Sequence, residues 1–253
     1  MGSSAIVYVP YAGMFEGWAR LVYLIGNMEL LGKIHVISYI LLGLFLLVSA
    51  AHVFFCAKKM TTPRKITKTF CLLFLGTAVA ISVPNYPLLY IGLFCGMLGD
   101  FFLLFGKKKI LFCIGAAFFL ANHILFIVQA MVYLSPMDWT VWLGIAVFLL
   151  LVYGIGYMLA YWMLRSKFRA IPAGLYAVAL ISSVATYVLA IMLGHGLWFF
   201  ISLIGSISFF VSDIMLSYSI FKKGEQKQRH WIMTTYLLGQ LLISAGFVLT
   251  LLS

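Results

Sequence analysis

The sequence predicts an all-α, polytopic membrane bundle of about eight transmembrane helices, with both termini on the non-cytoplasmic side. Three observations predict it. Of 253 residues, 64% are apolar and 9% charged, with a mean hydropathy of +1.11, where a soluble domain carries ~25% charged residues. The apolar residues fall into eight runs, each in or near the ~17–25 residues that a spanning helix needs. The basic residues gather in alternate loops, the pattern of cytoplasmic loops. So little polar surface excludes a secreted domain, a nucleic-acid-binding domain and a disordered chain.

Residues 1–33 read as an interfacial lead-in. Tyr8, Tyr11, Trp18 and Tyr23 suit a headgroup layer, beside Glu16, Arg20 and Glu29. No basic n-region opens the chain, so no cleaved signal peptide is expected. Met1-Gly2 does not complete a myristoylation signal, because position 6 is Ile. Residues 34–253 form one eight-helix domain. Its runs are Ile34–Cys56, Ile66–Val83, Tyr86–Phe105, Ile110–Leu134, Trp139–Leu164, Ile171–Leu193, Leu197–Phe221 and Trp231–Leu252. Strands are a poor alternative, since membrane barrels alternate polar and apolar residues and these runs are apolar all round.

The loops between the runs set the orientation. The first holds Lys58, Lys59, Arg64 and Lys65, with Lys68 just inside the second helix. The third holds Lys107, Lys108 and Lys109, the fifth Arg165, Lys167 and Arg169, and the seventh Lys222, Lys223, Lys227 and Arg229. The second, fourth and sixth loops carry no Lys or Arg. The net charge of +11 therefore points to topology and anionic lipid, not to nucleic acid. Cys56, Cys71, Cys95 and Cys113 lie in or beside apolar runs without a C-x-x-C pair, so packing thiols are expected and neither a disulfide nor a zinc ribbon.

Six carboxylates exist, and two stand in the middle of apolar helices: Asp100 and Asp213. A charge at the bilayer centre costs ~2.5–3.5 kcal/mol even on the lenient insertion scale and normally serves a function facing the bundle interior. Asp100 lies seven residues before Lys107 and Asp213 nine before Lys222. At ~1.5 Å per residue both sit roughly 10–14 Å above the cytoplasmic lysines. Tyr236 and Gln240 reach a comparable depth on the eighth helix, Lys68 and Tyr176 lie as deep or shallower, and Asn122 and His123 sit nearer the midplane. Asp100 shares a face with Gly96 and Gly92, a small-residue stripe that permits close helix approach. Serines and Asn122 at such positions more often bond helices together; two aspartates at one depth point to chemistry. His35, His52, His195 and His230 lie near helix ends, where an interfacial histidine needs no special role. His123 is the one deep histidine, so no metal site is expected.

These residues resemble a known family, the YhhN-like membrane proteins, which include the lysoplasmalogenases. The resemblance rests on Gly92-Leu93-Phe94-Cys95-Gly96-Met97-Leu98-Gly99-Asp100, Phe118-Phe119-Leu120-Ala121-Asn122-His123, Phe209-Phe210-Val211-Ser212-Asp213 and Tyr236-Leu237-Leu238-Gly239-Gln240. It covers about Ile66 to Leu252. The chain departs from the family in Thr69 after Lys68, in Phe126 three residues after the histidine, and in Gly239 before the glutamine.

The resemblance implies an ether-bond hydrolase that splits a lysoplasmalogen into a fatty aldehyde and a glycerophospho-ethanolamine or -choline. Asp100 and Asp213 would be catalytic, with Lys68, Asn122, His123, Tyr176, Ser212, Tyr236 and Gln240 about the substrate. A vinyl ether breaks when an acid protonates its β-carbon and water attacks the oxocarbenium ion. That chemistry wants one protonated carboxyl and one carboxylate, a state that two carboxyl groups sharing an apolar layer favour. Neither a metal nor a cofactor is required. Which aspartate is the acid stays open, and Lys68 either holds the phosphate or snorkels to the interface. The alternative is a proton-coupled transporter or lipid-binding protein using the same aspartates as a relay. The expected partners are a lysophospholipid and membrane lipids, with the chain a monomer or homodimer in a bacterial cytoplasmic membrane.

Overall fold

The computed structural model describes residues 28–105, 108–134, 137–165, 167–221 and 229–252. Eight α-helices fill these segments: α1 Met28–Ala57, α2 Thr61–Ser82, α3 Pro87–Leu103, α4 Lys109–Leu134, α5 Trp139–Leu164, α6 Lys167–Met192, α7 Phe199–Phe221 and α8 Arg229–Leu252. No strand occurs among the described residues. Most of the expected lead-in, and Lys107, Lys222, Lys223 and Lys227, lie outside the described residues.

Several helices outrun their apolar segments. α1 begins at Met28, inside the expected lead-in, and α2 begins at Thr61, so Arg64 and Lys65 are helical rather than loop residues. α3 is the exception. It runs for 17 residues, about 25 Å at ~1.5 Å per residue, against a hydrocarbon core of ~30 Å. Pro87 in its first turn carries no N–H to leave unsatisfied and fixes the start. At the other end the Leu104 and Phe105 amides donate to Phe101 and Phe102 carbonyls, both at 3.1 Å. These tighter three-residue turns end the helix before Phe105. The other seven helices are long and apolar enough to cross a membrane.

Antiparallel neighbours follow the chain from α1 to α4, then α4 packs on α6, α6 on α7, α7 on α8, and α8 returns to α1 and α2. α5 lies outside this circuit on α6. The core between the helices is aliphatic and aromatic, built around Leu72, Leu75, Leu93, Phe126, Phe199 and Phe247. The tightest contact is between α7 and α8. A Cβ on Gly205 would fall 2.6 Å from Ile243 N, and one on Gly239 would fall 2.9 Å from Phe209 N. Only glycine lets the two backbones approach so closely.

The α1–α2 turn has its own logic. The Lys59 amide donates to the Cys56 carbonyl at 3.2 Å and the Met60 amide to the Phe55 carbonyl at 2.9 Å. This paired closure places Lys59 in the left-handed region, φ 58°, where a glycine is usual. The turn folds α2 back along α1, with Ser38 Oγ donating to the Ala78 carbonyl at 2.9 Å near one end and His52 meeting Thr67 near the other.

Candidate active site

The sequence puts Asp100 and Asp213 in one layer, with Tyr236 and Gln240 at comparable depth and Lys68 and Tyr176 as deep or shallower. In the folded chain Asp100 and Asp213 line a single cavity of about 760 Å³. Both are buried, with 1% and 7% of their surface exposed. Lys68, Tyr176, Ser212 and Tyr236 line the same space.

The two carboxyl groups have different neighbours. Asp100, one turn past Gly96 on α3, receives Lys68 Nζ from α2 at 2.9 Å on Oδ1. Its Oδ2 accepts a hydrogen bond from the Tyr236 hydroxyl of α8 at 2.9 Å. Three helices thus meet on one carboxylate, with a cation and a phenol as its partners. Asp213 on α7 accepts a hydrogen bond from the Tyr176 hydroxyl of α6. It forms no ion pair with a cation among the described residues. The charge of Lys68 is therefore taken up by Asp100.

Four further cations stand at the cavity's end. Arg64, Lys65, Lys108 and Arg229, from the starts of α2, α4 and α8, line it together with the aspartates. The starts of these helices thus give the cavity a positively charged mouth. Leu103, Leu104, Phe105, Leu111 and Phe112 form an apolar wall, and Phe105 and Phe112 are also exposed on the outside of the bundle.

An aromatic wall braces the two tyrosines. The Tyr236 ring packs edge-on against Phe119 and Phe209, at centroid distances of 5.8 and 5.3 Å. His123 packs against Phe209 at 4.4 Å and Tyr176 at 6.2 Å. His123 is buried, and neither ring nitrogen has a hydrogen-bond partner among the described residues.

Three residues of the expected substrate set lie elsewhere. Asn122, His123 and Gln240 are not among the residues lining the cavity. Asn122 Nδ2 donates to the Gly92 carbonyl at 2.5 Å, and Gln240 Nε2 donates to Asn122 Oδ1 at 3.2 Å. This chain of bonds ties α3, α4 and α8 together. Ser212 does line the cavity, but its hydroxyl donates to the Ile232 carbonyl at 2.9 Å and so has no hydrogen left for a ligand. His52 departs from the expectation for a helix-end histidine. It is 1% exposed, lines the cavity with Cys56 and bonds across to α2. The sequence carried one signal of this, the four-residue spacing that puts His52 and Cys56 on one helical face. Among the described residues no group of three or more His, Cys, Asp or Glu side chains is placed to hold a metal ion.

The sequence profile of the YhhN family matches residues 60–247, from the last residue before α2 to the last turns of α8. That span holds every residue of the carboxylate layer. No match to the chain was found among curated proteins or among solved structures. The chain belongs to the YhhN family.

Proposed function

We propose that this YhhN-family membrane protein hydrolyses the vinyl ether bond of a lysoplasmalogen, releasing a fatty aldehyde and a glycerophospho-ethanolamine or -choline. The observation that carries the reading is one cavity with two differently partnered carboxyl groups inside and four cations at its end. Family membership supports it, since the family includes lysoplasmalogenases. The phosphate rests among Arg64, Lys65, Lys108 and Arg229, and the alkenyl chain lies along the apolar wall. Phe105 and Phe112, which touch both cavity and exterior, mark the passage to the lipid.

The unequal surroundings support a division of roles. Asp100, paired with Lys68 and Tyr236, is the carboxylate; Asp213, bonded to Tyr176, is the acid. Asp213 gives its proton to the β-carbon of the vinyl ether, and the electrons of the double bond form the new C–H bond. The resulting oxocarbenium ion lies beside the Asp100 carboxylate, which stabilises it. Water attacks the cationic carbon while Asp100 takes its proton, giving a hemiacetal. In the collapse Asp213 removes the hemiacetal proton and Asp100 protonates the departing glyceryl oxygen. Both carboxyl groups return to their starting states. The exchange of acid and base roles is that of a glycosidase pair.

Purified protein given a lysoplasmalogen should release aldehyde, trapped as a hydrazone. Asp100→Asn and Asp213→Asn should each lower turnover by about 100-fold or more, the usual scale for a positioned acid or base. Near-normal turnover in either variant overturns the scheme.

One observation favours a second reading, a proton-coupled transporter. Beyond the cavity, Gln129 Oε1, Ser182 Oγ and Tyr187 OH are buried without hydrogen-bond partners among the described residues, as are both His123 nitrogens. Buried polar groups of this kind commonly hold water, and a hydrated line could carry protons. Proton flux into proteoliposomes without aldehyde release would favour that reading.

A further inference from the structure

His52 and Cys56 line the cavity, yet the hydrolytic scheme gives them nothing to do. Cys56 Sγ lies 3.5 Å from His52 Nε2, and His52 Nδ1 lies 2.8 Å from Thr67 Oγ1. The hydrogen-bond network assigns the tautomer. A threonine hydroxyl has one hydrogen, and that of Thr67 goes to the Pro63 carbonyl at 2.9 Å. Thr67 Oγ1 therefore accepts from His52 Nδ1–H. The neutral ring then presents an unprotonated Nε2 to the Cys56 thiol, which donates its hydrogen there. A thiol with a base in contact, and that base oriented by a third group, is the arrangement of an activated nucleophile.

We propose that Cys56, with His52 as its base, is a site that adds reversibly to a long-chain aldehyde in this cavity. The inference rests on the hydrolase reading for the source of the aldehyde, the one electrophile that reaction leaves behind. The sulfur forms a bond to the carbonyl carbon, the π pair of the carbonyl moves to oxygen, and the thiol proton passes through His52 to that oxygen. The adduct is a hemithioacetal, and no oxidant or further reactant is consumed. While it persists the cavity is filled, so accumulated aldehyde slows turnover. Reversal frees both partners.

The test uses the purified full chain and site-resolved iodoacetamide labelling of its cysteines, with hexadecanal as the probe and hexadecanol as the control. Hexadecanal should slow labelling of Cys56 about tenfold, while the alcohol of the same length leaves it unchanged; His52→Gln should slow the unprotected reaction by a similar factor, because thiolate supply governs the rate. Should His52→Gln fail to fold, Thr67→Val removes the acceptor that fixes the tautomer and should also slow labelling. Equal protection by aldehyde and alcohol overturns the proposal. So does a labelling rate indifferent to both variants, or an aldehyde mass fixed on a lysine by borohydride with Cys56 left unprotected. The aldehyde is supplied directly, so the outcome does not depend on vinyl ether cleavage. Aldehyde release from lysoplasmalogen, assayed on the same preparation, reports that activity separately.

Discussion

Lys68 Nζ stands 2.9 Å from Asp100 Oδ1 across the α2–α3 contact, with the Tyr236 hydroxyl on the carboxylate's other oxygen. Removing one member of a buried ion pair strands the other and costs ~3–5 kcal/mol, whereas removing both is often neutral. Lys68→Met should therefore lower the thermal midpoint sharply in detergent. Lys68→Met combined with Asp100→Asn should recover most of that loss while remaining inactive. A double variant no more stable than Lys68→Met would mean that the pair does not balance its own charge.

The tyrosines should differ in stability and in kinetics. Each donates one hydrogen bond to a buried carboxyl group; the bond to the Asp100 carboxylate is worth ~1.5–3 kcal/mol and the bond to the protonated Asp213 ~0.5–1.5 kcal/mol. Tyr236→Phe and Tyr176→Phe should destabilise by about those amounts, respectively. Tyr176→Phe alters the surroundings of the proton donor, so it should move the alkaline limb of the pH–rate profile, where that donor loses its proton. Tyr236→Phe should leave that limb in place and lower the maximal rate, because Lys68 still holds Asp100. Stopped assays of aldehyde release across pH distinguish the two.

The mouth cations call for a comparison of substrates. Arg64→Gln, Lys108→Gln and Arg229→Gln should raise KM for a phosphate-bearing lysoplasmalogen several-fold and leave kcat nearly unchanged, since uniform binding is what they supply. On an alkenylglycerol without phosphate the same variants should match the wild type. Added salt should weaken the phosphate-bearing substrate alone, as screening acts on exposed charges. Equal losses on both substrates would remove the phosphate from this mouth.

The glycines separate close packing from mere occurrence. Gly205→Ala would set a Cβ 2.6 Å from Ile243 N and 2.9 Å from the Gly239 carbonyl oxygen, backbone atoms that cannot swing aside. Overpacking typically costs ~1–3 kcal/mol, so this variant should melt early or fail to accumulate. Gly154→Ala meets nothing within 4 Å and should be neutral or stabilising by up to ~1 kcal/mol from helix propensity. Melting curves of the two proteins in one detergent decide the matter.

The eight helices were legible because a bilayer imposes length and apolarity on every span, and both are local properties of sequence. Depth was legible for a related reason. A straight helix converts residue count to distance, so Asp100 and Asp213 could be placed in one layer from their spacing to the basic loops, but the same count put Gln240 beside Tyr236, and Gln240 does not line the cavity. Partnership was not legible. Lys68 and Asp100 meet through the packing of α2 on α3, and no local period encodes which face of one helix meets which face of another. For the same reason His52 read as an interfacial residue, since its partner Thr67 lies across the turn on α2. The end of α3 was missed because the apolar run continues through Phe105 after the helical bonding has tightened into three-residue turns.

Asn122 and Gln240 carry the sharpest contrast between resemblance and geometry. The family pattern places them about the substrate, while the fold engages them with the Gly92 carbonyl and with each other, away from the lining of the cavity. Interhelical hydrogen bonds in membranes average ~0.6 kcal/mol and reach ~1.7. Asn122→Leu and Gln240→Leu should therefore cost about that much in stability, and the double variant should cost less than the sum, because residues in one network are not additive. Turnover per folded molecule should stay within a few-fold of wild type. Asp213→Asn supplies the reference for a true loss, and a comparable loss in Asn122→Leu without any drop in melting temperature would return that residue to the substrate.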